Sequence, residues 1–373
     1  MTKFAVITHV IHRLHDGRHY AYGPYVKEMN LWLKYTDEFI LVAPESGEKP
    51  SAIDLPYSKI PDHYRVPAFN ITSIREAVKT VFKLPLVFYK TWLAMRRADH
   101  IHLRLPGNMG LIGSLLQILF PHKPKTVKYA GNWDPSSKQP WSYRLQQKVV
   151  SNPRWTKNAK VLVYGQWPGR TQNIVPFFTA SYSESEIEEI PEKRPELPVR
   201  LIFAGALIPG KQPLVALKVL HELLRRNIDA EMHFYGDGAQ RIILEDYIKQ
   251  NGLEKKAFLH GKQNAETLKN AYRKSHFLVF PSLSEGWPKV VMEAMTWKCL
   301  PVTTNISAVP YMLGYGERGS IVAPDPQVMA EEIMTYLSRP GEYRRKTEAG
   351  FQWAKQFTLE RFEEEIARFL KSS

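Results

Sequence analysis

The 373-residue chain has one cysteine, Cys299, so no disulfide can close within it and a reducing cytoplasm is the expected setting. It has no charged-then-apolar leader and no unbroken apolar run of membrane-spanning length. The most apolar stretch, Leu111 to Phe120, is too short to cross a bilayer. Internal repeats and low-complexity tracts are missing. So are helix-turn-helix, zinc-finger and ribonucleoprotein motifs, and nucleic acid is therefore not an expected partner. Acidic residues are scarce in one half only. Residues 1–180 hold 25 Lys and Arg against 11 Asp and Glu, whereas residues 181–373 hold 26 of each, so the whole formal charge of +14 lies in the first half. A one-sided basic surface calls for an anionic partner, and an anionic membrane or a lipid-diphosphate acceptor fits it.

What is present is ordinary globular composition, 44% apolar and 24% charged, in a chain long for one core and comfortable for two domains. Short β-like runs alternate with amphipathic helical stretches throughout, the pattern of α/β layers on parallel sheets. The first-half strands are expected at Phe4 to His9, Phe39 to Ala43, His100 to Arg104, Thr126 to Tyr129 and Val161 to Tyr164. Those of the second half are expected at Arg200 to Phe203, Glu231 to Tyr235, Ala257 to His260, Phe277 to Phe280, Leu300 to Thr303 and Ser320 to Val322. Between the halves, Ser181 to Pro198 is polar, carries Pro191, Pro195 and Pro198, and reads as a linker. Two Rossmann-like domains, 1–180 and 199–357, joined by 181–198, would put a ligand cleft between the C-terminal edges of both sheets. The tail from Thr358 reads as a last helix, with Phe362, Ile366, Phe369 and Leu370 at helical spacing.

The most informative stretch is Ser284-Glu285-Gly286-Trp287-Pro288-Lys289-Val290-Val291-Met292-Glu293-Ala294-Met295. It follows the strand-like His276 to Pro281, turns at Gly286 and enters a helix at Pro288, which suits a first helical position. A helix N-terminus offers amides and a positive dipole end to an anion, and flanking carboxylates suit sugar hydroxyls. Either glutamate alone would read as a solvated helical residue. The spaced pair resembles the E-x7-E element of the retaining GT-B glycosyltransferases of group 1, the glycogen-synthase-like family.

Upstream, Gly205 to Lys211 matches G-x-x-x-x-G-K, but Gln212 stands where a P-loop needs Ser or Thr for magnesium. The same stretch resembles the family's G-R-L…K loop, with Lys211 kept and Ala206 in place of the arginine. Lys289, Lys298 or Arg170 would then supply the second cation, or the phosphate site is weaker than usual. Tyr235-Gly236-Asp237-Gly238, Gly261 and Pro301 to Thr304 fit the family in order and spacing, while Lys298 replaces a glycine.

In the first half, Gly23-Pro24 lies where the family has a glycine-rich turn near the diphosphate. His9, His12, His15 and His19 surround it with Tyr22 and Tyr25. Their spacing puts them on a strand end and a loop, so they read as acceptor-bonding or plain loop histidines, not a metal site. Arg104 to Asn108 opens a helix after a strand, and Asn132 and Asp134 stand where relatives carry a cleft His or Asp. Lys79 to Arg97, with Phe82, Lys83, Phe88, Lys90, Trp92 and Arg96, is basic and amphipathic and would press on a membrane or pack on its sheet.

The resemblance implies an α/β GT-B fold and a hexosyl transferase moving sugar from a UDP- or GDP-sugar to a hydroxyl of a glycan or lipid-linked acceptor, as in polysaccharide biosynthesis. It implies Glu285 and Lys211 as catalytic residues, and Glu293, Gly286, Trp287, Pro288, Lys289, Val290, Gly205, Gly236 and Gly23 at the donor. His15, Tyr25, Arg104, Asn108 and Asn132 would face the acceptor. No metal or other cofactor is implied, since the chain has no Asp-x-Asp triplet. The last helix would brace the first domain, and the protein would be cytoplasmic, peripheral at the inner membrane face. Two alternatives stay open: a nucleotide-sugar epimerase on the same fold, and a catalytically weak nucleotide-binding protein.

Overall fold

The computed structural model describes residues 1–51, 53–68 and 74–371, with the backbone alone at 74–81. The chain forms two compact units, one of Met1–Phe177 with Phe362–Ser373, the other of Phe178–Arg361. Each is built on a mainly parallel sheet with helices packed on it, and runs such as residues 4–7 and Phe277–Phe280 are continuously apolar because both faces are covered.

The first unit contains β1 (Lys3–Ile7), β2 (His12–His15), β3 (Arg18–Tyr22), β4 (Glu38–Ser46), β5 (Asp54–Pro56), β6 (Asp62–Val66), β7 (His100–Leu105), β8 (Lys125–Tyr129), β9 (Ala159–Tyr164) and β10 (Ile174–Phe177). Its helices include α1 (Gly23–Leu33), α2 (Ile74–Arg97), α3 (Asn108–Leu116) and α4 (Trp141–Ser151). The strand order is β10-β9-β8-β7-β1-β4-β2-β3-β5, with β6 on β4. The order reverses between β1 and β7, which pair in parallel from Phe4 opposite His100 to Ile7 opposite Leu103. Beyond the parallel core, β2 and β3 form an antiparallel hairpin whose two-residue turn, Asp16-Gly17, has φ of 47° and 70°. Positive φ at both central residues is what a tight hairpin demands, and Asp-Gly meets it. One face of α2 buries Val87, Ala94 and Met95, while Phe82, Leu86 and Tyr89 are exposed. The Lys79 side chain lies outside the described residues. Within this unit the last helix (Leu359–Lys371) sets Phe362 and Phe369 against Phe177, and its Glu363 accepts from Lys34 Nζ at 2.7 Å and Tyr35 OH at 2.9 Å.

The second unit contains β11 (Val199–Ala204), β12 (Ala230–Tyr235), β13 (Ala257–Leu259), β14 (Phe277–Phe280), β15 (Leu300–Thr303) and β16 (Ser320–Ile321), all parallel, in the order β13-β12-β11-β14-β15-β16. Helices α5 (Pro213–Arg225), α6 (Arg241–Gln250), α7 (Ala265–Lys274) and α8 (Lys289–Thr296) lie in this unit. Here the order reverses between β11 and β14. Cys299, just before β15, is fully buried. Residues 178–198 belong to this unit, and the Tyr182 ring meets Trp297 edge-on.

Candidate functional site

An open parallel sheet offers its ligand site beyond the C-terminal strand ends, where the strand order reverses. In the second unit that point lies between β11 and β14, and the loop after each strand delivers one of the sequence-assigned catalytic residues. Lys211 Nζ lies 2.5 Å from Glu285 Oε1, with both side chains mostly but not fully covered. The Ser282 hydroxyl donates to the same carboxylate oxygen at 2.8 Å. Backbone bonds fasten the two loops, since Leu283 N donates to Gly210 O at 2.9 Å. The lysine also stands 5.3 Å from the centre of the Phe280 ring.

Glycines make this loop packing feasible. Gly236 adopts φ 146°, and a Cβ there would fall 1.8 Å from Gly205 O, so no other residue fits. Gly205 N donates to Tyr235 O, Gly236 N to Gly261 O and Leu207 N to Asp237 O, tying the loops after β11, β12 and β13 into one piece. These bonds also decide the P-loop alternative. A phosphate cradle needs successive amides free to face the ligand. Here the amides of Leu207, Ile208, Lys211 and Gln212 are spent on the carbonyls of Asp237, Ala206, Ile208 and Pro209.

Helix α8 begins at Lys289, one residue later than the sequence suggests, with Pro288 at the N-cap and no side chain capping the first turn. Gly286 is held through its carbonyl by the Ser307 hydroxyl at 3.0 Å. Lys289 and Val290 open the helix, half-covered. Trp287 is buried among Tyr311, Trp353 and Phe357, so its ring serves the core. Inside α8, Glu293 accepts from Ser181 Oγ at 2.7 Å and Tyr272 OH at 3.4 Å. Of the cations offered in place of the missing arginine, Lys298 is committed elsewhere: it is buried, 2.8 Å from Glu348 and 3.0 Å from Ile190 O. Its φ of 49° shows why the family favours glycine at that turn. An exposed cleft of about 470 Å³ beside these loops is lined by Ser282, Leu283, Thr304, Asn305, Val322 and Ala323 among others.

The residues assigned to the first unit are differently placed. Gly23 starts α1 pressed on the β5 loop, its N donating to Ile53 O at 2.9 Å. Tyr25 is buried beneath the Arg104 guanidinium, 4.8 Å from the ring centre, and burial pushes its phenol pKa up. Arg104 pairs with Glu28 at 3.2 Å, and the fully buried Lys128 reaches the same carboxylate oxygen at 3.0 Å. His15 is half-exposed on β2 beside Asp16, and Asn108 opens α3. Asn132 shapes a turn, its side chain accepting from Asp134 N at 2.9 Å. Tyr25 and Arg104 are thus brought together, but as parts of a buried network. Sequence reasoning put His9 at a strand end without placing it at this unit's own reversal point: a Cβ on Gly107, beyond β7, would lie 2.7 Å from its Nδ1. It also placed His12 and His19 on a loop, although they sit on β2 and β3. The Asp16-Gly17 dipeptide was the available signal for that hairpin.

Residues 184–353 match the family model described as Glycosyl transferases group 1. An uncharacterized glycosyltransferase of Methanocaldococcus jannaschii is 26% identical over 163 residues, 43% of this chain but only 44% of the relative, so less than half of that relative's length is spanned. A D-inositol 3-phosphate glycosyltransferase of Corynebacterium efficiens is 25% identical over 286 residues, 68% of each chain. Among solved structures, HepE of Anabaena in complex with UDP and glucose matches with a TM-score of 0.69 at 14% identity, covering the whole of both chains. That last likeness shows the fold along the entire chain, two parallel-sheet Rossmann-like domains of the GT-B kind.

Proposed function

Starting from the match of residues 184–353 to the group 1 glycosyltransferases, we propose that the chain moves a sugar from a nucleoside-diphosphate donor to a hydroxyl acceptor with retention at the anomeric carbon. The observation that carries this reading is the Lys211–Glu285 pair, 2.5 Å apart at the reversal point of the second sheet. A cation and a carboxylate there match the two needs of the reaction, neutralising a leaving diphosphate and holding a polar sugar.

Without donor the pair neutralises itself. On binding, the dianionic diphosphate competes for Lys211, while Ser282 still holds Glu285 in place. Lys211 and the N-terminus of α8, with Lys289 beside it, then stabilise charge as it develops on the leaving oxygen, a preorganised electrostatic contribution. Glu285 orients the donor sugar, Glu293 takes the ribose hydroxyls, and a diphosphate oxygen accepts the acceptor's proton on the same face. These groups supply the positive charge the leaving diphosphate needs, so the reading calls for no metal at the donor.

The acceptor is a glycan or lipid-linked hydroxyl, as in polysaccharide assembly. The basic excess of residues 1–180 supports an anionic acceptor or surface, and so do exposed Phe82, Leu86 and Tyr89 beside Lys83 and Lys90 on α2. Among the described residues no helix is long and apolar enough to cross a membrane.

Calorimetry with UDP, GDP and ATP, each with and without magnesium, tests the reading. Magnesium-independent binding of UDP or GDP is expected. Binding of ATP alone, and only with magnesium, would refute it.

A further inference from the structure

The hairpin that carries His19 folds it toward two residues far away in sequence. His19 on β3, Glu45 near the end of β4 and His63 on β6 present ligand atoms that all lie within 4.8 Å of one another. Three strands therefore converge on one point inside the first unit, and two features of that point call for a cation.

The first is the His63 ring. Its Nε2 lies 3.1 Å from Ala43 O, and a carbonyl only accepts, so Nε2 carries a proton. In the neutral ring this leaves the Nδ1 lone pair aimed at Glu45 Oε2, 3.2 Å away. Two lone pairs at that distance repel unless a positive centre lies between or beside them. A backbone carbonyl holding the far nitrogen is also the usual support of a metal-binding histidine. The second feature is His19. The residue is 9% exposed, and its buried Nδ1 has no hydrogen-bond partner among the described residues. Its ring meets that of His63 edge-on, with centres 5.0 Å apart.

Neighbouring histidines do not share this condition. His12 Nδ1 donates to Val10 O at 2.8 Å, so Nε2 accepts from Tyr57 OH at 2.7 Å, and both nitrogens are occupied. His15 points to Asp16 at the exposed turn. The carboxylate of Glu45 is oriented by Arg65, which takes Oε1 at 3.1 Å and leaves Oε2 toward the histidines.

We propose that His19, Glu45 and His63 bind a divalent transition-metal ion, zinc by the chemistry of the set, that staples the β2–β3 hairpin to β4 and β6. Two imidazoles and one carboxylate fill three positions of a tetrahedral zinc, and a water completes it. The ion is structural, within the first unit, and independent of the sugar-transfer reading.

The test uses the full chain without an affinity tag, stripped by a chelator and titrated with zinc against a chromophoric competitor. One zinc per chain is expected, together with a visible absorption band on cobalt substitution from nitrogen and oxygen ligands. His63→Gln, His19→Gln and Glu45→Gln should each weaken zinc by more than about 100-fold, beyond the loss typical of outer-sphere changes. His15→Gln should bind like the parent. Zinc should raise the melting temperature of the parent and leave that of His63→Gln unchanged. A stripped parent that takes up no zinc overturns the proposal, whether or not the variants fold, and leaves a plain His63–Glu45 ion pair. Undiminished binding in folded His19→Gln and His63→Gln overturns it equally, since surface histidines would then hold the metal.

Discussion

Both units contain a carboxylate shared between two donors, and the two arrangements differ in what carries them. In the first unit Glu28 on α1 holds Arg104 on β7 and Lys128 on β8, with Lys128 Nζ 4.8–5.6 Å from the centres of Tyr164, Phe177 and Phe362. In the second, Glu285 holds Lys211 and Ser282 from loops beyond the strand ends. Charges on strands and helices are built into the packing and cannot change partner without loosening it. Charges on loops past the sheet edge can exchange one partner for a ligand. The same chemistry thus serves architecture in one unit and, on the proposed reading, ligand exchange in the other.

The sharpest way to break this comparison is to remove each carboxylate or cation in turn. Glu28→Gln should destabilise the first unit by about 3–5 kcal/mol, because it strands a buried ammonium and guanidinium. Chemical denaturation of the variant measures this, and a shift below 1 kcal/mol would put the network with ordinary surface pairs. Lys211→Ala should lower turnover by about 10²–10³-fold, the scale of losing one oxyanion-stabilising donor, with the melting temperature little changed. Normal turnover in that variant would pass the phosphate role to Lys289.

Acid sharpens the contrast between the two units. Burial pushes His100 down to about 4 and His102 to about 3 in the first unit, against His276 at about 4 in the second. Such groups resist protonation when folded and accept it near 6.5 when unfolded, so their stabilising effect is complete above 6.5 and is lost as pH falls toward 4 and 3. The first unit should therefore loosen before the second below pH 6, as amide exchange resolved along the chain would show. Loss of the second unit first would remove these histidines from the account. The smallest effect is expected from Glu293→Gln, whose one amide oxygen can still accept from Ser181 while the amide nitrogen faces the longer Tyr272 contact. Donor affinity should fall about tenfold with the fold intact, the range of a hydrogen bond to a charged group. Calorimetry reads it directly, and unchanged affinity would remove the ribose role.

Legibility in the sequence followed the same division. The eleven expected strands form the two parallel cores, because an apolar run such as Phe39 to Ala43 is unmistakable whatever surrounds it. The strands left unread are β2, β3, β5, β6 and β10. They are polar or short, Pro176 interrupts β10, and β5 and β6 pair with strands 20 or more residues away. The Lys211–Glu285 pair was legible since each residue sits in a local strand-turn-helix motif. The group of His19, Glu45 and His63 was not, since no spacing in the sequence announces residues drawn from three separate strands. Arg104 illustrates a third case. Its position after a strand suggests an anion socket, and only the fold reveals that Glu28 already occupies its guanidinium.

The solitary cysteine gives the molecule a built-in gauge. Cys299 is wholly enclosed, and burial pushes its thiol up to about 12, so neither access nor ionisation favours a thiol reagent while the second unit is closed. With no second sulfhydryl to confuse the signal, the rate of alkylation counts openings of that unit alone. A donor that binds beyond β11 and β14 should slow this clock in proportion to its occupancy, and an ion held by the β2–β3 hairpin should leave it running unchanged.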